Sequence, residues 1–160
     1  MQKKREADPV EVALAVLPAW QLAVFRFNDT VARRLGIVPS DLQCLFVLDR
    51  RDGSTPGEIG RLVHLTSGAT SRMIDRLLRA GLVTREHDTV DRRRVNITIT
   101  PQAHEALHDL YDPLDDALRT MLRDLSPDAL RAIVDLAQQA EARTTELELG
   151  LRPLDRPVTS

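Results

Sequence analysis

The 160-residue sequence predicts a mostly α fold with one small β-hairpin, and three observations carry that prediction. Apolar residues recur every three or four positions over most of the length, the period of a helix with one buried face. One short stretch, Val95, Ile97 and Ile99, switches to strict alternation, the period of a half-buried strand. Helical runs open on capping residues, often followed by proline, as at Asp8-Pro9, Thr55-Pro56, Thr100-Pro101 and Ser126-Pro127.

The first helix spans about 8–34, with a stripe of Ala13, Val16, Leu17, Trp20, Val24, Phe27, Val31 and Leu35, and Gly36 as its stop. Pro18 inside that stripe should kink or split it. Ser40 is expected to cap a second helix carrying Leu42, Leu45, Phe46, Val47 and Leu48 and ending near Asp52-Gly53. Thr55-Pro56-Gly57-Glu58 is a capping box that opens a short third helix, about 56–63. After a break at His64-Leu65-Thr66, a fourth helix runs over about 67–80 and stops at Gly81. Its inward stripe is Thr70, Met73, Ile74 and Leu77. At 100° per residue the opposite face carries Gly68, Arg72, Asp75, Arg76 and Arg79, flanked by Ala69 and Ser71. Strands over about 82–86 and 95–99 make the hairpin, tipped by Arg92-Arg93-Arg94. Two long leucine-rich helices follow, and 150–160 reads as a loose tail.

Composition narrows the class. Apolar residues are 42% and charged residues 29%, so a core can form. No uninterrupted apolar stretch approaches the ~18–20 residues of a membrane span, and the start lacks a secretory pattern. The single cysteine, Cys44, permits no intrachain disulfide and no cysteine-rich metal site. The expectation is a soluble cytoplasmic protein. Phosphate loops, nucleophile elbows and HExxH motifs are absent, which speaks against an enzyme. The net charge of −2 hides an asymmetry: residues 1–100 carry 16 Lys/Arg against 12 Asp/Glu, and residues 101–160 carry 6 against 12. Between Arg72 and Arg94 seven arginines face four acids, which suggests a localised anionic partner.

Short helix, turn, helix, basic hairpin is the order of a winged helix-turn-helix, over about 36–100. Its fourth helix suits the major groove of duplex DNA. Small residues at its start (Ser67, Gly68, Ala69, Ser71) let the backbone approach base edges, with Arg72 beside them and Arg76 further along for phosphate. An arginine-tipped ribbon fits the narrow, strongly negative minor groove. The bland alternative is a helical hairpin packed on a small sheet without any DNA contact. The helices at 8–35 and 101–148 carry apolar stripes too long for a lobe of about 65 residues to cover. Their surplus should meet a second copy, making them the dimerisation region of a homodimer.

Gly81-Leu82-Val83-Thr84-Arg85 and Asp91-Arg92-Arg93-Arg94-Val95-Asn96-Ile97-Thr98-Ile99-Thr100-Pro101 closely resemble the MarR family of multiple-antibiotic-resistance-type regulators. The stretch 66–77 resembles the recognition helix of one branch of it, and the resemblance covers about 8–148. It implies a dimeric repressor on a pseudopalindromic operator, released by a small, often aromatic, acidic ligand. It makes Arg93 the minor-groove arginine and Asp91 a residue that orients the wing. Arg92 and Arg94 contact phosphate or cap the hairpin.

Further features each have an ordinary reading beside a functional one. Cys44 sits among Leu42, Leu45, Phe46 and Val47 without a nearby cation, so a buried inert thiol is expected. His104 and His108 share one helix face at i, i+4, and zinc-responsive members of the family carry such a pair in this helix. No sequence feature supplies the remaining ligands, so they read as boundary histidines, and neither a metal site nor a cofactor is expected. Trp20 with the i, i+4 pair Asp75 and Arg79 resembles urate-responsive members, against a reading as core tryptophan and surface ion pair. An effector pocket is expected where the first helix, around Trp20 and Arg26, meets the second, around Phe46, with Arg33 and Arg34 nearby. The alternatives are a zinc- or urate-responsive regulator of the same fold, or a helical protein-interaction module that does not bind DNA.

Overall fold

The computed structural model describes residues 8–51, 53–87 and 95–151. The element order is α1 (Pro9–Arg34), α2 (Pro39–Asp49), α3 (Pro56–Leu62), α4 (Ser67–Arg79), β1 (Val83–His87), β2 (Val95–Ile99), α5 (Pro101–Arg123) and α6 (Pro127–Leu151). The chain divides within α5, between Leu110 and Tyr111, into two compact units.

The first unit holds the core. Cys44, Leu45 and Leu48 of α2, Ile59 of α3, Met73, Ile74 and Leu77 of α4, Val83 of β1 and Ile97 of β2 form one buried cluster. Each large side chain stabilises the lobe by roughly 1.5–3 kcal/mol through loss of apolar surface to water. β1 and β2 pair antiparallel, with Val83 opposite Ile99 and His87 opposite Val95. Ser54 adds a short third rung: its N–H donates to the Ile97 carbonyl at 3.0 Å and its carbonyl accepts from Ile97 N at 2.9 Å.

Local chemistry explains most boundaries. Thr55 accepts from Glu58 N through Oγ1 while Glu58 Oε2 accepts from Thr55 N, so the capping box forms as expected. Gly81 takes φ +69° just past α4, and Leu82 N closes back onto the Leu77 carbonyl at 3.0 Å, which aims the chain into β1.

Four expectations are corrected. α1 is not split at Pro18: the proline removes one backbone donor without ending the helix. Val38, not Ser40, is the N-cap of α2. Pro39 occupies the first helical position, and the residue before a proline is held extended, here at φ −88°, ψ 155°. α2 stops at Asp49, earlier than 52–53, because the chain must turn in time for Ser54 to pair with Ile97. α6 runs through Gly150 to Leu151, so the tail does not begin at Gly150.

Trp20 also departs from its expected place. Of the 26 residues of α1 only Val31 and Ala32 are buried, and Trp20, expected on an inner stripe, is 58% exposed. α6 contains no buried residue. By length and composition α1 is apolar enough to cross a membrane. Its longest run without a charge is 12–25, about 14 residues and interrupted by Gln21, which is short of a ~20-residue span.

Candidate nucleic-acid interface

α4 is a helix with two unlike faces. Thr66 caps it, its Oγ1 accepting from Ala69 N at 3.4 Å. Thr70, Met73, Ile74 and Leu77 are buried, as the periodicity predicts. The close seating of α3 on α4 depends on Gly60: a Cβ there would lie 2.7 Å from Thr70 Oγ1. On the other face Ser67, Gly68, Ser71 and Arg72 are exposed and Ala69 is half-buried. Arg72 reaches back over Gly68, where a Cβ would sit 3.7 Å from its guanidinium. The start of α4 therefore offers solvent a surface of small side chains and one cation.

Arg76, expected to reach phosphate, has a partner inside the lobe. Its Nε donates to Asp41 Oδ2 at 2.9 Å and its terminal nitrogen to Oδ1 at 2.5 Å. Asp41, near the start of α2, is only 1% exposed. The hydrogen bond to Asp41 raises the Arg76 pKa further above its usual value, against a smaller opposing effect of burial. A bidentate arginine–carboxylate contact fixes both partners in one plane, so this pair sets the register of α4 against α2. The side chain's geometry is that of a strut between helices.

The Asp75–Arg79 pair also resolves differently. Asp75 Oδ1 accepts from Arg85 of β1 at 3.0 Å, while Arg79 Nε donates to the Asp75 main-chain carbonyl at 3.1 Å. Asp75 thus ties α4 to the hairpin and does not pair with Arg79 through its carboxylate. In the hairpin Thr98 Oγ1 donates to Glu86 across the strands at 3.3 Å. Asp91, Arg92, Arg93 and Arg94 lie outside the described residues.

A family model described as the MarR family matches residues 37–95, from the turn before α2 to the start of β2. The chain is 32% identical over 123 residues to the uncharacterised HTH-type transcriptional regulator YcgE of Bacillus subtilis, covering 76% of this chain and 80% of that one. The chain belongs to the MarR family. It is a winged-helix, DNA-binding transcriptional regulator and not an enzyme. The reading as an interaction module without DNA binding is set aside. Solved structures share the fold: a MarR protein from Peptoclostridium difficile gives a TM-score of 0.62 at 16% identity, covering 95% of this chain and 97% of that one. MepR of Staphylococcus aureus, in a structure of its complex with DNA, gives 0.56 at 19% identity, covering 86% and 99%.

The other candidate residues are dispersed. Trp20 and Arg26 are exposed on α1, and Phe46 is half-buried in α2. Arg33 is bound to Asp29 and to Thr30 on its own helix. In the second unit an open cleft of about 460 Å³ is lined by Asp115, Leu118, Arg119, Leu122, Arg123 and Leu130. Cys44 is fully buried, and burial, with a smaller contribution from the Asp41 charge, pushes its thiol up to about 12. His104 and His108 do face one another, ring centroids 4.3 Å apart, and a third group joins them that the sequence did not reveal. His104 Nδ1 donates to Asp49 Oδ1 at 2.7 Å, and His108 Nε2 lies 3.8 Å from the same oxygen.

Proposed function

We propose that this MarR-family regulator binds a pseudopalindromic duplex operator as a homodimer and represses transcription until a small acidic aromatic ligand releases it. The observation that carries the DNA reading is the exposed start of α4, where Ser67, Gly68 and Ser71 leave room for close approach and Arg72 supplies a bidentate donor. In this reading Ser67, Gly68, Ala69, Ser71 and Arg72 meet base edges, Arg93 enters the minor groove, Arg92 and Arg94 hold phosphate, and Asp91 orients the wing. Arg76 acts on the same surface indirectly, by holding α4 in register through Asp41, with one terminal nitrogen left over for phosphate. Protein of this kind works in the cytoplasm, where the DNA is.

The homodimer reading is supported by the apolar side chains that α1 and α6 leave open, among them Val16, Trp20, Phe25, Val134 and Leu136. It assigns 8–35 and 101–148 to dimerisation and 36–100 to the winged lobe. The repressor role and the aromatic acid follow from the family resemblance, with Trp20, Arg26 and Phe46 as the candidate contacts. Asp75 and Arg79 are a weaker second choice, because Asp75 already pairs with Arg85. Selection of bound duplexes from a random pool by the full chain tests the DNA reading. A recovered two-fold motif is the expected result, and recovery without sequence preference overturns operator recognition. Aromatic acids and urate are then added to the complex. Release accompanied by a change in Trp20 fluorescence is expected, and release with unchanged fluorescence moves the pocket away from α1.

A further inference from the structure

Asp49 ends α2, and His104 and His108 lie on the first turns of α5, so two separate elements deliver three donors to one point within the first unit. One ligand atom from each lies within 4.8 Å of the others. From these distances we propose that Asp49, His104 and His108 bind one divalent transition-metal ion per chain, of the zinc class, with a fourth position open to water or an anion.

The donor set suits that ion. Two imidazoles and a carboxylate are the nitrogen–oxygen ligands that zinc takes, at about 2.0–2.2 Å each, and three protein ligands leave one tetrahedral position free. Tetrahedral bonds of that length put ligand atoms about 3.4 Å apart. The observed separations from Asp49 Oδ1, 2.7 Å to His104 and 3.8 Å to His108, bracket that spacing. Small rotations of three side chains therefore convert the contact into a site. The two histidines are about half exposed and Asp49 is 19% exposed, so an ion can enter while the carboxylate stays held by its helix.

Coordination would exchange one interaction for another. In the metal-free contact His104 carries its proton on Nδ1 and donates it to the carboxylate. Binding through Nδ1 requires the tautomer with the proton on Nε2, so the imidazole–carboxylate hydrogen bond gives way to two bonds to the ion. The consequence is a cross-link with a defined place in the lobe. α2 contributes Leu45 and Leu48 to the core, and α5 begins directly after β2, which contributes Ile97. An ion at this point would join the end of α2 to the root of α5.

The test uses the untagged 160-residue chain, equilibrated with zinc and assayed for bound metal, and with cobalt(II) as a spectroscopic substitute. The expected result is one zinc per chain and cobalt bands of tetrahedral intensity. His104→Gln, His108→Gln and Asp49→Asn should each weaken zinc binding tenfold or more. The first two remove exposed side chains and should leave the fold intact by circular dichroism. His64→Gln should have no effect on zinc binding. Overturning results are less than half an equivalent of zinc bound, octahedral cobalt spectra, or binding that survives His108→Gln and is lost with His64→Gln. None of these readouts depends on DNA, so failure of the metal site and failure of operator binding are separable.

Discussion

α4 and α1 both carry apolar stripes at helical spacing, yet they occupy opposite environments. α4, 13 residues long, buries Thr70, Met73, Ile74 and Leu77 against neighbours from its own lobe. α1, twice as long and more apolar, buries only Val31 and Ala32 and leaves Val16, Trp20 and Phe25 more than half exposed. The difference lies in what the chain can bring to each helix. α2, α3 and the hairpin flank α4 closely in sequence and close over one face of it. The lobe is thus complete in one chain, whereas α1 carries an apolar surface of the kind proteins reserve for a partner.

Making α1 polar should have the largest effect. Val16→Asp with Trp20→Asp should halve the mass measured by sedimentation at micromolar concentration. It should also lower operator affinity about a hundredfold or more, because two linked lobes bind with avidity that one lacks. A wild-type chain sedimenting as a monomer would sink the dimer reading, and α1 would need another explanation. In the lobe, Arg76→Ala should cost about 1–2 kcal/mol in urea unfolding, because the Asp41 carboxylate loses its bidentate partner while the departure of the 41%-exposed Arg76 side chain lets water replace part of it. An unfolding midpoint equal to wild type would show that the strut between α2 and α4 carries no load.

Comparable or smaller effects sharpen the picture of the DNA-facing surface. Arg72→Ala should leave stability unchanged and reduce discrimination between operator and random duplex by about 1–3 kcal/mol, measured by competition binding. Equal losses on both duplexes would mean that Arg72 reads phosphate. Arg93→Ala should lower the salt slope of binding by about one per protomer. A slope unchanged by that substitution would remove the wing from the interface. Asp75→Asn should cost under about 1 kcal/mol, since its contact with Arg85 is exposed on both sides.

Sequence alone determined the local order of this protein. Periodicity of 3.6 selected the buried stripe of α4, the capping box opened α3, and strict alternation set β2, because each depends on neighbours a few residues apart. The family was legible for the same reason, its most specific motifs being contiguous. Tertiary structure decided the pairings. Asp41 meets Arg76 across 35 residues and Asp49 meets His104 across 55. Asp75 chooses Arg85 on β1 over Arg79 on its own helix. Side-chain charge at one position does not reveal which distant element will fold beside it, so a phosphate contact and a strut read alike in sequence. Trp20 shows the same limit from the apolar side: its spacing identifies a face to be covered, and only the folded lobe reveals that the core of its own unit does not cover it.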